Sequence, residues 1–244
     1  MNVLSLFAGV GGLELGLERA GMTTVGQVEI DPYCRRVLAK HLPEVPRHDD
    51  VRTTVGWWES APRPRVHVVA GGFPCQPVSS AGARRAQEDP RWLWPAMAEV
   101  IRSVRPSWVI GENVPGLLTR GISDIVRDLG RLGYRYRVGT ISACAMGAPH
   151  TRDRVFVMAH TEGIGCHVRG TGVGHTRVHR ATESEVGQGG SVQPERPVGW
   201  TREPRMDRVA YGVPNGVDRL RALGNAVVPR VSEFIGRRLM EVAA

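Results

Sequence analysis

Residues 3–12 read Val3-Leu4-Ser5-Leu6-Phe7-Ala8-Gly9-Val10-Gly11-Gly12, a mostly apolar run followed by a turn with three glycines. The apolar run predicts a buried strand, and residues 13–20 predict a helix that Gly21 ends. A strand, a glycine turn and a helix in this order are typical of the first unit of a nucleotide-binding α/β fold. We therefore predict an α/β fold.

The turn departs from a dinucleotide fingerprint at its last position. The pattern Gly9-x-Gly11-x-x-Gly requires glycine at residue 14, and the chain has Glu14 there. We expect a carboxylate at the helix start to disfavour a pyrophosphate, which argues against NAD. A positively charged cofactor without phosphates would be tolerated better, and S-adenosylmethionine has both properties.

Acidic residues follow the next predicted strands. Residues 24–29 predict a strand ending in Glu29, where an acid accepts hydrogen bonds from both hydroxyls of a ribose. Asp31 precedes Pro32 and predicts a helix cap. Asp49 and Asp50 are expected to close a third strand. Residues 52–65 predict a surface connection.

A cysteine follows the strand predicted at residues 66–70. The stretch reads Gly71-Gly72-Phe73-Pro74-Cys75-Gln76-Pro77. The glycines permit close approach of a ligand, and the two prolines fix the backbone on both sides of the thiol. A lone cysteine is often a small core residue. Glycines and prolines would serve no purpose around a core filler, so we favour a reactive thiol at a strand end.

Further strands carry an acid and two arginines. Residues 108–114 predict a strand ending at Glu112, where apolar surroundings would raise the carboxyl pKa toward neutrality. Capping of the next segment is the other interpretation of Glu112. Arg152 and Arg154 alternate along a strand predicted in residues 149–156, so we expect both to point to one face.

Five stretches of the chain together resemble the motifs of the DNA (cytosine-5) methyltransferases, in the order found in that family. The resemblance extends from Val3 to about Arg238. His150 stands where the family's Gln-x-Arg-x-Arg motif has glutamine. The stretches are Phe7-Ala8-Gly9-Val10-Gly11-Gly12, Pro74-Cys75-Gln76, Gly111-Glu112-Asn113-Val114, Arg152-Asp153-Arg154 and Gly224-Asn225-Ala226-Val227-Val228-Pro229.

This resemblance implies a Rossmann-like S-adenosylmethionine-dependent methyltransferase sheet with helices on both faces, plus a short irregular target-recognition segment. It implies methyl transfer to C5 of cytosine in double-stranded DNA, through a cysteine adduct at C6 of a flipped base. Cytosine C5 is a poor nucleophile, so the reaction needs a thiolate at C6, an acid at N3 and positive charge near O2. The implied catalytic residues are Cys75, Glu112, Arg154 and, in support, Arg152.

DNA-binding residues are expected from the composition of one polar stretch with paired arginines, and cofactor-binding residues chiefly from the resemblance. The polar stretch at residues 79–89 is expected to close over DNA, although a plain solvated loop fits equally well. The implied cofactor-binding residues are Phe7, Gly9, Gly11, Gly12, Glu29, Asp50, Pro74, Asn225, Ala226 and Val227, and the implied DNA-binding residues are Ser79, Arg84 and Arg85. No metal site is expected, because glycines separate the possible ligands Cys166, His167, His175 and His179.

The resemblance, together with a change of composition near residue 160, implies three parts of the chain. Residues 1–159 are expected to form the catalytic and cofactor-binding domain, and the glycine-rich residues 160–208 a short variable target-recognition segment. Residues 209–244 are expected to return to the catalytic domain and end in a helix over 231–242. The formal net charge of +8 suits a polyanionic partner such as DNA.

Cysteine usage and hydropathy indicate where the protein acts. Four cysteines without a C-x-x-C pair indicate a reducing cytosol, in a bacterial cell or a phage-infected host. No apolar run is long enough to span a bilayer, so no membrane partner is expected. We expect a monomer, with a restriction endonuclease of the same system as a further partner. A tRNA cytosine-5 methyltransferase and a catalytically silent DNA-binding relative are the rival interpretations.

Overall fold

The computed structural model describes residues 1–74, 92–161 and 216–243. Its strands are β1 (Asn2–Leu6), β2 (Thr23–Val28), β3 (Arg47–His48), β4 (Val68–Gly72), β5 (Trp108–Asn113), β6 (Tyr134–Ile141) and β7 (Arg154–Thr161). Its helices are α1 (Gly12–Arg19), α2 (Pro32–His41), α3 (Thr54–Glu59), α4 (Trp94–Val104), α5 (Leu117–Arg120), α6 (Ile122–Arg131), α7 (Gly216–Asn225) and α8 (Pro229–Ala243).

Within these ranges the strands form one sheet in the order β3-β2-β1-β4-β5-β7-β6. The first five strands in sequence are parallel to one another, whereas β7 runs antiparallel between β5 and β6. The carboxyl ends of β1, β2, β4 and β5 therefore share one edge of the sheet, and β7 begins at that same edge. Ligands of open α/β sheets bind outside such an edge.

Helices cover both faces of the sheet. On one face, Leu4 and Leu6 of β1 share a buried cluster with Trp94 and Met97 of α4 and Ile125 of α6. On the opposite face, Val3 lies in a cluster with residues of α1 and α8, namely Leu13, Leu17, Val231, Ile235 and Leu239. The predicted α/β architecture is confirmed, and so is the helix at the carboxyl end.

Helices α1 and α8 approach each other very closely. A Cβ added at Gly16 would lie 2.0 Å from the Ser232 Oγ, and one added at Gly12 would lie 2.3 Å from the Val227 carbonyl oxygen. The Ser232 hydroxyl donates to the Gly12 carbonyl at 3.3 Å and to the Pro229 carbonyl at 3.1 Å. Glycine is thus required where the two helices meet.

Residues 51–65 differ from the predicted surface connection. A short 3-10 turn (Val51–Thr53) leads into α3, which buries Trp58 in the core. Trp57 stacks on His48 with ring centroids 5.0 Å apart, and the Arg63 guanidinium lies 4.8 Å from the Trp57 ring. The two tryptophans therefore pack this segment onto the sheet edge. Their large rings bury apolar surface that a solvated loop would leave exposed.

The third strand ends earlier than expected. It stops at His48, and Asp50 instead caps the 3-10 turn by accepting from the Arg52 amide. In the part of the chain that the structure describes, no helix is long and apolar enough to cross a membrane.

Candidate active site

A cavity of about 460 Å³ lies at the shared edge of the sheet. This volume is in the range of small-molecule binding pockets. The ends of β1, β2, β4 and β5, the start of β7 and one side of α7 form its walls. The predicted site residues that line it are Phe7, Gly9, Glu29, Asp50, Pro74, Glu112, Arg154, Asn225, Ala226 and Val227.

The glycine turn holds Glu29 rigidly at the cavity wall. The Gly9 amide donates to Glu29 Oε2 at 2.7 Å, and the Asp31 amide donates to Oε1 at 2.8 Å. Phe7 adopts a φ of 55°, a left-handed conformation that costs free energy in a residue other than glycine. Each Glu29 oxygen keeps a further lone pair. The carboxylate is therefore pre-positioned to accept additional hydrogen bonds from a ligand.

The neighbouring loops bring three predicted acidic residues and one unpredicted residue, Ile30, to the cavity. Ile30 lines the cavity with 66% of its surface exposed, an unusual position for so apolar a side chain. Asp31 caps α2 as predicted, accepting from the amides of Tyr33 and Cys34. Asp49 and Asp50 both line the cavity, and Asp50 is additionally engaged by Arg52.

Three residues at the start of α1 lie away from the cavity wall. Gly11 has a φ of 88° and precedes the helix as its cap, whereas Gly12 packs against Val227. Glu14 is fully buried, and the expectation that it meets a ligand at the helix start is wrong. The helix turns this side chain inward instead. Burial raises the pKa of Glu14 to about 7, and its carboxyl oxygens have no hydrogen-bond partner among the described residues.

The charge of the cavity wall nevertheless supports the same conclusion about phosphates. Carboxylates outnumber guanidinium groups among the lining residues. The carboxylates belong to Glu29, Asp31, Asp49, Asp50, Glu112 and Asp218, and the guanidinium groups to Arg52, Arg154 and Arg221. Such a wall disfavours a polyphosphate and suits a ligand that carries positive charge.

Glu112 and Arg154 form an ion pair at the far end of the cavity. The Arg154 Nε lies 2.9 Å from Glu112 Oε1, and Glu112 is only 8% exposed. Burial raises the pKa of Glu112 to about 7, while the charges of Arg154 and Arg152 act in the opposite direction. The carboxyl group can therefore hold or share a proton near neutrality.

Gly72 on β4 makes room for this carboxyl group. It pairs with Glu112 in the sheet, and a Cβ at residue 72 would lie 2.7 Å from Glu112 Oε2. On the same strand as Glu112, the buried Asn113 donates through Nδ2 to the Phe73 carbonyl at 3.1 Å. Asn113 thus ties the segment leading to Pro74 and Cys75 to β5, a role that we had not predicted.

The two arginines diverge, contrary to the predicted alternation. Strand β7 begins only at Arg154, and Arg152 has a left-handed φ of 37°. Its guanidinium Nη2 donates to the carbonyls of Gly224 at 2.6 Å and Ala226 at 2.8 Å. Arg152 therefore holds the carboxyl-terminal return segment in place, while Arg154 faces the cavity.

Several predicted site residues lie outside the described residues. These are Cys75, Ser79, Arg84 and Arg85, together with Cys166, His167, His175 and His179 as the possible metal ligands. In residues 1–74, 92–161 and 216–243, no group of three or more histidine, cysteine or acidic side chains could hold a metal ion. Pro74, the last described residue before Cys75, lines the cavity.

Comparison with known proteins decides the family. Residues 1–188 match the family C-5 cytosine-specific DNA methylase. The chain belongs to this family. Type II methyltransferase M2.BsuMI of Bacillus subtilis is 37% identical over 168 residues, which are 65% of this chain and 42% of that protein. Type II methyltransferase M.Eco47II of Escherichia coli is 37% identical over 167 residues, 65% of this chain and 39% of that protein.

This cytosine-5 methylase chain spans about two-fifths of the length of these two curated relatives. Among solved structures, a proposed DNA modification methyltransferase encoded within an E. coli prophage is similar at a TM-score of 0.54 and 28% identity, covering 66% of this chain and 47% of that one. A mutant of DNMT2 from Spodoptera frugiperda has a TM-score of 0.56 at 19% identity, covering 67% and 51%. These likenesses confirm the predicted Rossmann-like methyltransferase sheet.

Proposed function

We propose that the chain transfers a methyl group from S-adenosylmethionine to C5 of cytosine in double-stranded DNA. The observation that carries the proposal is the Glu112–Arg154 pair, which lies in the same cavity as the Glu29–Gly9 contact. A carboxylate placed to accept hydrogen bonds from a nucleoside and an acid paired with its own cation thus face one space. Membership of the cytosine-5 methylase family supports the same activity.

The cavity has features that suit S-adenosylmethionine. Glu29 would accept hydrogen bonds from the ribose hydroxyls, and Phe7 and Ile30 would contact the adenine. Asp50, with Asp49 beside it, would accept from the adenine amino group. The backbone at Asn225, Ala226 and Val227 would close the methionine end. When bound, the cofactor supplies an electrophilic methyl group.

The catalytic residues would act on cytosine in turn. Cys75, as the thiolate, would form a bond to C6 and place an electron pair at C5. Glu112 would share its proton with N3, and Arg154 would stabilise charge at O2, as the ring becomes electron-rich. The C5 electron pair would take the methyl group from the sulfonium, which leaves as a neutral thioether. Water would then accept the C5 proton, the C5–H electron pair would restore the C5–C6 double bond and expel the Cys75 thiolate from C6, and the N3 proton would return to Glu112.

Base flipping would be required, because C6 is inaccessible to a side chain inside a duplex. The DNA would be contacted by Ser79, Arg84 and Arg85. Its sequence would be recognised by residues 160–208, which connect the catalytic parts 1–159 and 209–244 along the chain. The curated relatives are named type II methyltransferases, so we propose a restriction endonuclease as a cognate partner. We further propose that the protein acts in the cytoplasm as a monomer.

The decisive test is covalent trapping on DNA that contains 5-fluorocytosine. Fluorine at C5 cannot leave as a cation, so the Cys75 adduct should accumulate and migrate as a protein–DNA complex in denaturing gels. The Cys75→Ala variant serves as the matched control and should trap nothing. Trapping that is unchanged in this variant would refute the mechanism.

The rival functions give different outcomes in parallel assays. Methyl transfer to duplex DNA and to tRNA, measured with labelled cofactor, separates the DNA enzyme from a tRNA methyltransferase. DNA binding without methyl transfer to either nucleic acid would identify a catalytically silent relative. Bisulfite sequencing of DNA from cells expressing the chain would then report the methylated sequence context.

A further inference from the structure

Helix α7 presents two charged side chains to the cavity. Asp218 and Arg221 both line it, and so does Asn225 one turn further along the helix. Residues spaced three and four apart share one face of a helix. The cavity side of α7 thus carries a carboxylate, a guanidinium and an amide in a row. Neither the motifs of the sequence nor the family comparison assigns a role to Asp218 or Arg221.

Charge pairing sets Arg221 apart from the other two guanidinium groups of the cavity wall. Arg52 lies 3.4 Å from Asp50, and Arg154 lies 2.9 Å from Glu112. Among the described residues, neither Asp218 nor Arg221 takes part in an ion pair. The Arg221 guanidinium and the Asp218 carboxylate are therefore available to a ligand, in addition to the Glu29 carboxylate.

The charges of Asp218 and Arg221 lie near helix α2. The pKa of the Cys34 thiol on α2 is raised to about 11, chiefly by burial and then by the charges of Glu29 and Asp31. Arg221 opposes this increase and Asp218 adds to it, because both lie near the thiol. Helix α7 therefore faces the amino-terminal end of α2 across the cavity.

Ligand chemistry matches this arrangement. S-adenosylmethionine carries one anionic group, the α-carboxylate, and beside it an α-ammonium. Arg221 lies one helical turn before Asn225, at the end of the cavity where we place the methionine part. A guanidinium is well suited to grip a carboxylate, and an acid to accept from an ammonium.

We propose that Arg221 binds the α-carboxylate of the cofactor and Asp218 its α-ammonium. The assignment rests on the proposed S-adenosylmethionine-dependent function. It makes α7 the element that recognises the amino-acid end of the ligand, and it predicts discrimination against nucleosides that lack this end.

Calorimetric binding to the full chain tests the proposal with three ligands. These are S-adenosylmethionine, its decarboxylated form, and 5′-methylthioadenosine, which lacks both charged groups. Arg221→Gln should weaken S-adenosylmethionine binding about tenfold or more, the usual range for a lost charged hydrogen bond. It should leave binding of the decarboxylated form unchanged. Asp218→Asn should weaken both of these ligands and leave 5′-methylthioadenosine unaffected.

Arg219→Gln is the matched control, because Arg219 lies on the same helix but does not line the cavity. Equal losses for all three ligands in Arg221→Gln, or an equal loss in Arg219→Gln, would overturn the assignment. So would a loss of DNA affinity with unchanged cofactor affinity, which would place Arg221 on a phosphate. If the unmodified chain fails to bind S-adenosylmethionine at all, the proposed function itself fails.

Discussion

Two buried glutamates show how the same perturbation has different meanings in two regions of the molecule. Glu112 at the cavity edge and Glu14 beneath α1 both have a pKa raised to about 7, in each case mainly by burial. Glu112 faces the cavity and pairs with Arg154. Glu14 faces the sheet and lacks a hydrogen-bond partner for its carboxyl oxygens among the described residues.

The difference teaches that a raised pKa locates a catalytic acid only together with access and a partner. A carboxyl group in a cavity can pass its proton to a ligand, and an adjacent cation keeps its charged form tolerable. A carboxyl group sealed under a helix can only protonate or destabilise the fold. The first is a property of the site, and the second is a cost to folding.

The largest expected effect comes from Glu112→Gln. The amide keeps the shape of the side chain but cannot share a proton with N3, so kcat should fall roughly 100- to 10,000-fold, the range for lost acid–base catalysis. Single-turnover methyl transfer to duplex DNA measures this. Glu14→Gln is the matched substitution and should leave kcat unchanged. Equal losses in the two variants would erase the distinction between the regions.

The pH dependence of kcat/KM should show the same contrast. Because the pKa of Glu112 is raised to about 7, its carboxyl group is protonated below that pH and loses its proton above it. We expect kcat/KM to fall as the pH rises through about 7, by up to about tenfold per pH unit. This fall in kcat/KM should vanish in Glu112→Gln and persist in Glu14→Gln. If it persists in both variants, a group other than Glu112 causes it.

A smaller effect is expected from Gly72→Ala. The new methyl group would meet Glu112 Oε2 at 2.7 Å and displace the carboxyl group from Arg154, so we expect a loss in kcat of roughly 10- to 100-fold, as for misplaced catalytic groups. Gly111→Ala on the neighbouring strand is the control, because its nearest contact would be 3.7 Å. A Gly72→Ala enzyme as active as this control would show that the Glu112 carboxyl group adapts.

The smallest expected effect is on stability and concerns Glu14. Its folded pKa of about 7 lies above the ordinary 4.5, so protonation stabilises the fold below about pH 4.5, and this contribution is lost as the pH rises through 7. At pH 8.5 the free energy of unfolding of Glu14→Gln should therefore exceed that of the unmodified chain by about 1–3 kcal/mol, as measured by urea denaturation. At pH 5 the gain should be much smaller. A gain of equal size at both pH values would mean that titration of Glu14 is not its cause.

The sequence predicted the elements whose signals are local. Apolar runs gave the strands, Asp31-Pro32 gave the start of α2, and the polar residue at the end of β5 lies at the shared sheet edge as expected. These outcomes follow because strand pattern, capping and the parallel connection rule act over short distances. The ion pair of Glu112 with Arg154 depends on the adjacency of β5 and β7, which the sequence analysis did not predict.

The features that sequence reasoning missed depend on contacts between distant segments. Arg152 was expected on a strand, but its left-handed φ directs it to carbonyls more than 70 residues away. The inward turn of Glu14 follows from the packing of α1 on the sheet. Asp218 and Arg221 carried no signal, because charged residues on a helix ordinarily face solvent. The roles of Cys75 and residues 79–89 remain predictions from their motifs.

The glycine contact between α1 and α8 has a consequence for how the protein is made. The Gly12 backbone reaches its final environment only when Val227 and Ser232 have arrived against it. A chain emerging from the ribosome therefore presents an unfinished cavity until Val227 and Ser232 have been synthesised, the latter 220 residues after Gly12. Products of early termination would lack the wall that α7 supplies to the cavity, so they should not bind its ligand.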